Sequence, residues 1–129
     1  MQRNMDLVRD LLIRLEALHL GVGEAQMLMV SGPPLVLAGE DANEVFYNMR
    51  LLANAGFLDL TDGQPALGFG IKGLTWQGHD FLDSVRDPEI WRRTKEGAQK
   101  AGGFTVELLG DLAKGLIKTQ IEKYTGVKL

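Results

Sequence analysis

The chain has 129 residues, 45% apolar and 24% charged, with a net charge of −3, which suits one globular domain plus a helical extension. It has no cysteine, which excludes disulfides, thiolate zinc sites and a cysteine nucleophile and fits a reducing cytosol. The opening "MQRNMDLVRD" is charged and the apolar run after it is broken by Arg14 and Glu16, so neither a signal peptide nor a membrane span is expected.

Taken in chain order, "NMDLVRDLLIRLEALHL" predicts an amphipathic helix capped by Asn4. Met5, Val8, Leu12 and Leu15 follow 3-4-3 spacing, Leu11 and Leu18 widen the stripe, and Asp10 is placed to pair with Arg14. Gly21 and Gly23 end it. In residues 24–39, Pro33-Pro34 forbids a long helix, and two short apolar runs, 26–30 and 35–37, predict short edge strands around "SGPP". A second helix follows, with Asp41 as cap and Glu44 three residues on. Its apolar face is Val45, Met49 and Leu52, with Phe46 and Ala53 beside them. Gly56 then stands where a left-handed residue closes a helix.

Beyond Gly56 the apolar period drops from 3.6 to 2. Leu58 and Leu60 alternate, then Leu67, Phe69 and Ile71, on either side of "TDGQP", which predicts a β-hairpin. Gly68 and Gly70 on the other face of its second strand imply a bulge or the close approach of another surface. Thr75 caps the next helix, with Gly78, Phe81, Leu82 and Val85 inward. Asp87-Pro88 starts another, carrying Ile90, Trp91, Ala98 and Ala101 and ending at Gly102-Gly103. The last helix begins near Thr105. Leu109, Leu112, Leu116, Ile117, Ile121 and Tyr124, with Leu108, form a broad apolar stripe on which a self-association surface is expected. Gly110 and Gly115 within it are either tolerated on an exposed face or mark a close helix contact.

This order predicts an α+β, winged-helix-like domain over residues 1–87, with 41–55 in the place of a recognition helix and the hairpin as wing. Residues 88–129 form a two-helix extension for docking or self-association. "MQRNMDLVRDLLIRLEAL", "NMRLLANAGFLD", "LTWQGHDFLDSVRDPEIWRRTKE" and "AGGFTVELLGDLAKGLIK" resemble the bacterial and prophage hypothetical proteins grouped as domain of unknown function 2513. The resemblance spans nearly the whole chain, and "LTWQGHDFLD" with the arginine and tryptophan after it is its most specific part. It implies a winged-helix-like core and a bacterial or phage origin, and no activity. Relatives often have a histidine in the middle helix, in a stretch like "YHLKLL"; this chain has "YNMRLL", with Asn48 there.

Chemistry-bearing patterns are sparse. His79 and Asp83 share a helix face but supply two metal ligands at most, short of the usual three or four. A surface ion pair, with the imidazole against Trp76, is the expectation. "GFGIKG" superficially resembles a phosphate loop but lacks the following helix N-terminus that would receive an anion. Neither enzymatic activity nor a cofactor or metal is expected.

Charge is uneven. Up to Val85 five Lys/Arg face eleven Asp/Glu, and from Arg86 nine face six. The basic tail is a solvated face, an electrostatic partner of the acidic body, or a phosphate clamp. Two functions remain. One is a cytoplasmic interaction or adaptor module that self-associates or binds a host or phage protein. The other is a DNA-binding regulator whose duplex contacts come from Asn43, Tyr47, Asn48, Arg50, Lys72, Arg92, Arg93 and Lys95, with Asn54 also able to reach base edges.

Overall fold

The structure, a computed structural model, describes residues 2–29, 32, 39–103 and 105–129. It is α+β. The described residues form α1 (Met5–Glu16), β1 (Gln26–Met29), α2 (Ala42–Asn54), β2 (Leu58–Leu60), β3 (Gly68–Leu74), α3 (Trp76–Val85), α4 (Pro88–Ala101) and α5 (Val106–Thr125). The chain divides into two compact units, the first ending at His79 and the second starting at Asp80. That division lies inside α3, ahead of the Asp87-Pro88 helix start. The expected strand at 35–37 lies outside the described residues.

In the first unit, the Asn4 side chain accepts from Leu7 N–H at 3.1 Å and caps α1. The buried stripe of α1 is Met5, Leu7, Val8, Leu11, Leu12 and Leu15. Asp10 pairs with its neighbour Arg9 at 3.9 Å, not with Arg14 as the spacing predicts. At α2, the Asp41 carboxylate accepts from Asn43 N–H at 2.7 Å and Glu44 N–H at 3.3 Å. The helix closes at Gly56 (φ +81°). Gly56 N–H donates to Ala53 C=O and Phe57 N–H reaches back to Leu52 C=O, the paired bonds of a Schellman ending.

The hairpin is part of a three-stranded antiparallel sheet in the order β1-β3-β2. Leu28 pairs with Phe69 and Leu58 with Leu74, and a register shift interrupts β2 between Asp59 and Leu60. Leu28, Phe69 and Ile71 are buried, and the Phe69 ring meets that of Phe46 at 5.2 Å. Leu67, expected in the strand, precedes it and is exposed, because β3 starts one residue later. On the opposite face the two glycines have a steric reason. A Cβ at Gly68 would stand 2.3 Å from Leu28 C=O and 2.9 Å from Met29 Sδ. One at Gly70 would stand 2.2 Å from Thr61 Oγ1 and 3.0 Å from Met27 Sδ. The thioethers of β1 thus lie over bare backbone of β3. Gln64 closes the loop. Its amide donates to the carbonyls of Thr61 (2.9 Å) and Gly70 (3.2 Å), and its carbonyl accepts from Gly70 N–H (3.0 Å).

The start of α3 is tied to the end of α2. Thr75 Oγ1 accepts from Gly78 N–H at 3.1 Å, as a cap should, and donates to Gly56 C=O at 2.6 Å. Thr75 N–H donates to Phe57 C=O at 3.1 Å. Gly78 is buried with Phe57 C=O 2.3 Å from where its Cβ would be. Phe81, Leu82 and Val85 are buried, as their helical spacing predicts.

In the second unit, Asp87 caps α4 by accepting from Ile90 N–H at 2.9 Å, with Pro88 in the first turn. Ile90, Trp91, Thr94 and Ala98 are buried, whereas Ala101, expected among them, is exposed at the last turn. Thr105 caps α5, accepting from Leu108 N–H at 3.2 Å. Leu109, Gly110 and Ala113 are its buried residues.

Two helical glycines separate steric need from tolerance. Gly78→Ala must displace the Phe57 backbone and is expected to cost about 1–3 kcal/mol in urea unfolding. Gly97→Ala meets Leu112 only at an ordinary 3.7 Å and is expected to stabilise by up to about 1 kcal/mol through helix propensity.

Candidate functional site

Three groups of side chains carry the functional expectations: the outer face of α2 with Lys72, the polar face of α4, and the apolar flank of α5. The first lies in the first unit, the other two in the second.

On α2, Asn43, Tyr47 and Arg50 recur at helical spacing; Asn43 and Arg50 are exposed and Tyr47 is half-buried. The Arg50 guanidinium lies over the Tyr47 ring, 5.7 Å from its centroid. Asn54 is exposed near the end of the helix. Asn48 is a correction. It is fully buried and spends its amide on backbone. Its Oδ1 accepts from Asn4 N–H at 2.8 Å, and its Nδ2 donates to Glu44 C=O at 2.9 Å and Gln2 C=O at 3.4 Å. It latches the chain ahead of α1 onto α2 and cannot read a base edge. Lys72 is exposed on β3 and borders an open hollow of about 600 Å³ that Glu24 and Asp59 also line.

His79 and Asp83 do not form one site. His79 Nδ1 faces Glu16 Oε2 across 3.6 Å, with the imidazole half exposed, while Asp83 accepts from Arg86 at 2.7 Å. The expected partner of His79 is therefore replaced by a residue of α1, and Asp83 pairs with Arg86 three residues on. Trp76 is 79% exposed. Among the described residues no group of three or more His, Asp or Glu side chains is arranged to hold a metal ion.

On α4, Arg92 is held between two acids. Its Nε donates to Glu89 Oε2 at 3.0 Å and its Nη1 to Glu96 Oε1 at 2.6 Å. The Glu89 carboxyl is held below its ordinary range mainly by the hydrogen bond from Arg92; desolvation opposes this, and the charges of Arg92 and Arg93 add to it. Arg92 is correspondingly raised still further above its usual value, first by its hydrogen bond to Glu89. Lys95 Nζ sits 5.6 Å from the centroid of the buried Trp91 ring. Arg93 is exposed.

Beside it runs a groove of about 610 Å³ between α4 and α5. Arg93, Gly97 and Lys100 line one side, and Leu108, Leu112 and Leu116 the other. The apolar stripe of α5 is thus split. Leu109 is fully buried and belongs to the inner face, a correction to its expected place on a self-association surface. Leu112, Ile121 and Tyr124 are exposed, and Leu116 and Ile117 are half-buried. Leu108, which only widened the predicted stripe, is 47% exposed and lies in the groove. The signal for the groove was present in Gly97, a glycine inside a strong helical pattern, where the α4 backbone lies open to Leu112.

The family described as "Hypothetical protein (DUF2513)" matches residues 2–104. The chain belongs to that family. A relative from Haemophilus influenzae (strain ATCC 51907 / DSM 11121 / KW20 / Rd), named "Uncharacterized protein", is 33% identical over 124 residues, covering 94% of this chain and 99% of that protein. No solved structure matches this DUF2513 chain. Among the described residues no helix is long and apolar enough to cross a membrane.

Asn48→Ala removes the partners of the Asn4 N–H and the Gln2 C=O and leaves a void at a fully buried position, and is expected to lower unfolding free energy by about 1–3 kcal/mol. The Glu89–Arg92 pair makes stability pH-dependent. Because the folded pKa of Glu89 is depressed, its contribution is present above the ordinary glutamate value of about 4.3 and is lost as pH falls through the folded value. Thermal melts should show wild type above Glu89→Gln at neutral pH, with the gap closing as the medium becomes acidic.

Proposed function

We propose that the protein is a non-catalytic protein-interaction module: a winged-helix-like body whose α4–α5 arm offers its open groove to another polypeptide. The order α1-β1-α2-β2-β3-α3 supports the winged-helix part of the reading, with α2 in the recognition-helix position and β2–β3 as the wing. A cytoplasmic place of action fits a chain without cysteine.

The observation that carries the proposal is where the cations are. Duplex binding draws most of its affinity from Lys and Arg side chains that neutralise phosphates. Arg92 is committed to Glu89 and Glu96, Lys95 to the Trp91 face, and Arg50 to the Tyr47 ring. Lys72 borders a hollow that Glu24 and Asp59 also line, and Asn48 is inside. Exposed leucines beside bare glycine backbone, by contrast, suit a helix partner. His79 and Asp83 pointing to separate partners support the absence of catalysis.

The test is a salt series with a fluorescent random-sequence duplex. The proposal expects no retention of DNA even at about 50 mM salt, a condition that favours phosphate contacts. Binding that weakens steeply with salt and disappears in Arg92→Ala/Arg93→Ala would replace it with a DNA-binding regulator.

A further inference from the structure

The exposed flank of α5 has a pattern that selects its own partner. Leu108, Leu112, Gly115 and Thr119 follow each other at intervals of four, three and four, the spacing of a helix–helix seam. All four line the α4–α5 groove. Leu108 and Leu112 project, at 47% and 39% exposure, while a Cβ at Gly115 would meet nothing within 4 Å. The Thr119 hydroxyl donates to Gly115 C=O at 3.0 Å, so it leaves no unspent donor on the seam.

The seam is therefore bulky in its first half and shallow in its second. Charge is divided the same way. Glu107 and Asp111, with Lys114, occupy the first half of α5, and Lys118 and Lys123, with Glu122, the second. Asp111 and Lys118 are seven residues apart and so flank the seam on one side.

We infer that α5 pairs with α5 of a second copy, antiparallel, about a two-fold axis near Lys114. This rests on the reading of the arm as a polypeptide-binding surface and names its occupant. In that arrangement Leu112 seats over Gly115 of the other copy and Leu108 over its Thr119, so large meets small along the whole seam. Asp111 of each copy comes beside Lys118 of the other, twice by symmetry. A parallel pairing would instead set leucine on leucine, leave a gap at Gly115, and bring Lys118 against Lys123 across the flank. The complementarity in both volume and charge thus exists in one direction only. α4 contributes the uncluttered backbone of Gly97 at the groove wall, where Leu112 Cδ1 already comes within 3.7 Å of a notional Cβ.

The test is native mass of the full chain by sedimentation across a concentration series, with far-UV circular dichroism to confirm that each variant is folded. Wild type should be dimeric. Asp111→Lys and Lys118→Asp, both on exposed positions, should each weaken the dimer by about tenfold or more, since each sets like charges together twice. The double variant Asp111→Lys/Lys118→Asp restores opposite charges and should recover dimerisation to near the wild-type level. Gly115→Gln, which meets open space in the isolated chain, should give a folded monomer. A wild-type chain that stays monomeric throughout would overturn the inference, as would single reversals without effect or a double variant that fails to recover. Any of these without DNA binding leaves the interaction-module reading intact; that reading falls to the salt series instead.

Discussion

The first unit depends on a knot of backbone contacts around Gly56 and Phe57. α2 can end as it does only because Gly56 accepts a left-handed conformation, and that ending turns the carbonyls of Gly56 and Phe57 toward the start of α3. Thr75 takes both, one through its hydroxyl and one through its N–H, while capping its own helix. Gly78 must then be bare, because the Phe57 carbonyl occupies the space of a side chain. Between these two points the chain runs out along β2 and back along β3. The knot therefore clasps the base of the hairpin, and it satisfies three orphan groups of two helix ends, the Leu52 and Ala53 carbonyls of α2 and the Gly78 N–H of α3. The "LTWQG" stretch, which looks like the approach to a His–Asp site, is the lock of this clasp.

That assignment changes what the histidine means. His79 follows the lock by one residue, and its partner is Glu16 at the far end of α1. A half-exposed imidazole facing one carboxylate is a modest surface contact. Arg92 and Lys95 on α4 and Arg50 on α2 follow the same logic, each engaged by acids or an aromatic face within one or two turns, whereas Arg93 and Lys100 are exposed. Counting basic residues along the chain overstates the charge available to a polyanion, because it does not see which cations are already matched.

Much of the fold was legible in the sequence, and the reason is locality. Asn4, Asp41, Thr75, Asp87 and Thr105 all cap the helices they were expected to cap, because a cap needs only the residue and the two or three amides after it. The change of period after Gly56 placed the hairpin for the same reason. What was not legible depends on groups far apart in the chain. Nothing near Asn48 announces that its amide will be used by Asn4 and Gln2. The glycines of β3 pointed to a close neighbour, but only the folded sheet shows that the neighbours are the Leu28 carbonyl and two methionine thioethers of β1 together with the Thr61 hydroxyl after β2. On α5 the stripe was too broad to divide. Leu109 and Leu112 are equally apolar, and only the folded chain shows one buried and the other on the groove beside Gly97.

Gln64 has an effect on the hairpin that its place in an ordinary-looking turn conceals. By donating to two carbonyls and accepting from the Gly70 amide, it imitates a peptide group and adds a rung made of side chain where the backbone ladder stops. The tip is thus a closed ring, not a loose flap. To a deuterium atom arriving from solvent, the Gly70 amide is held as firmly as a laddered one, although the group that holds it is a side chain.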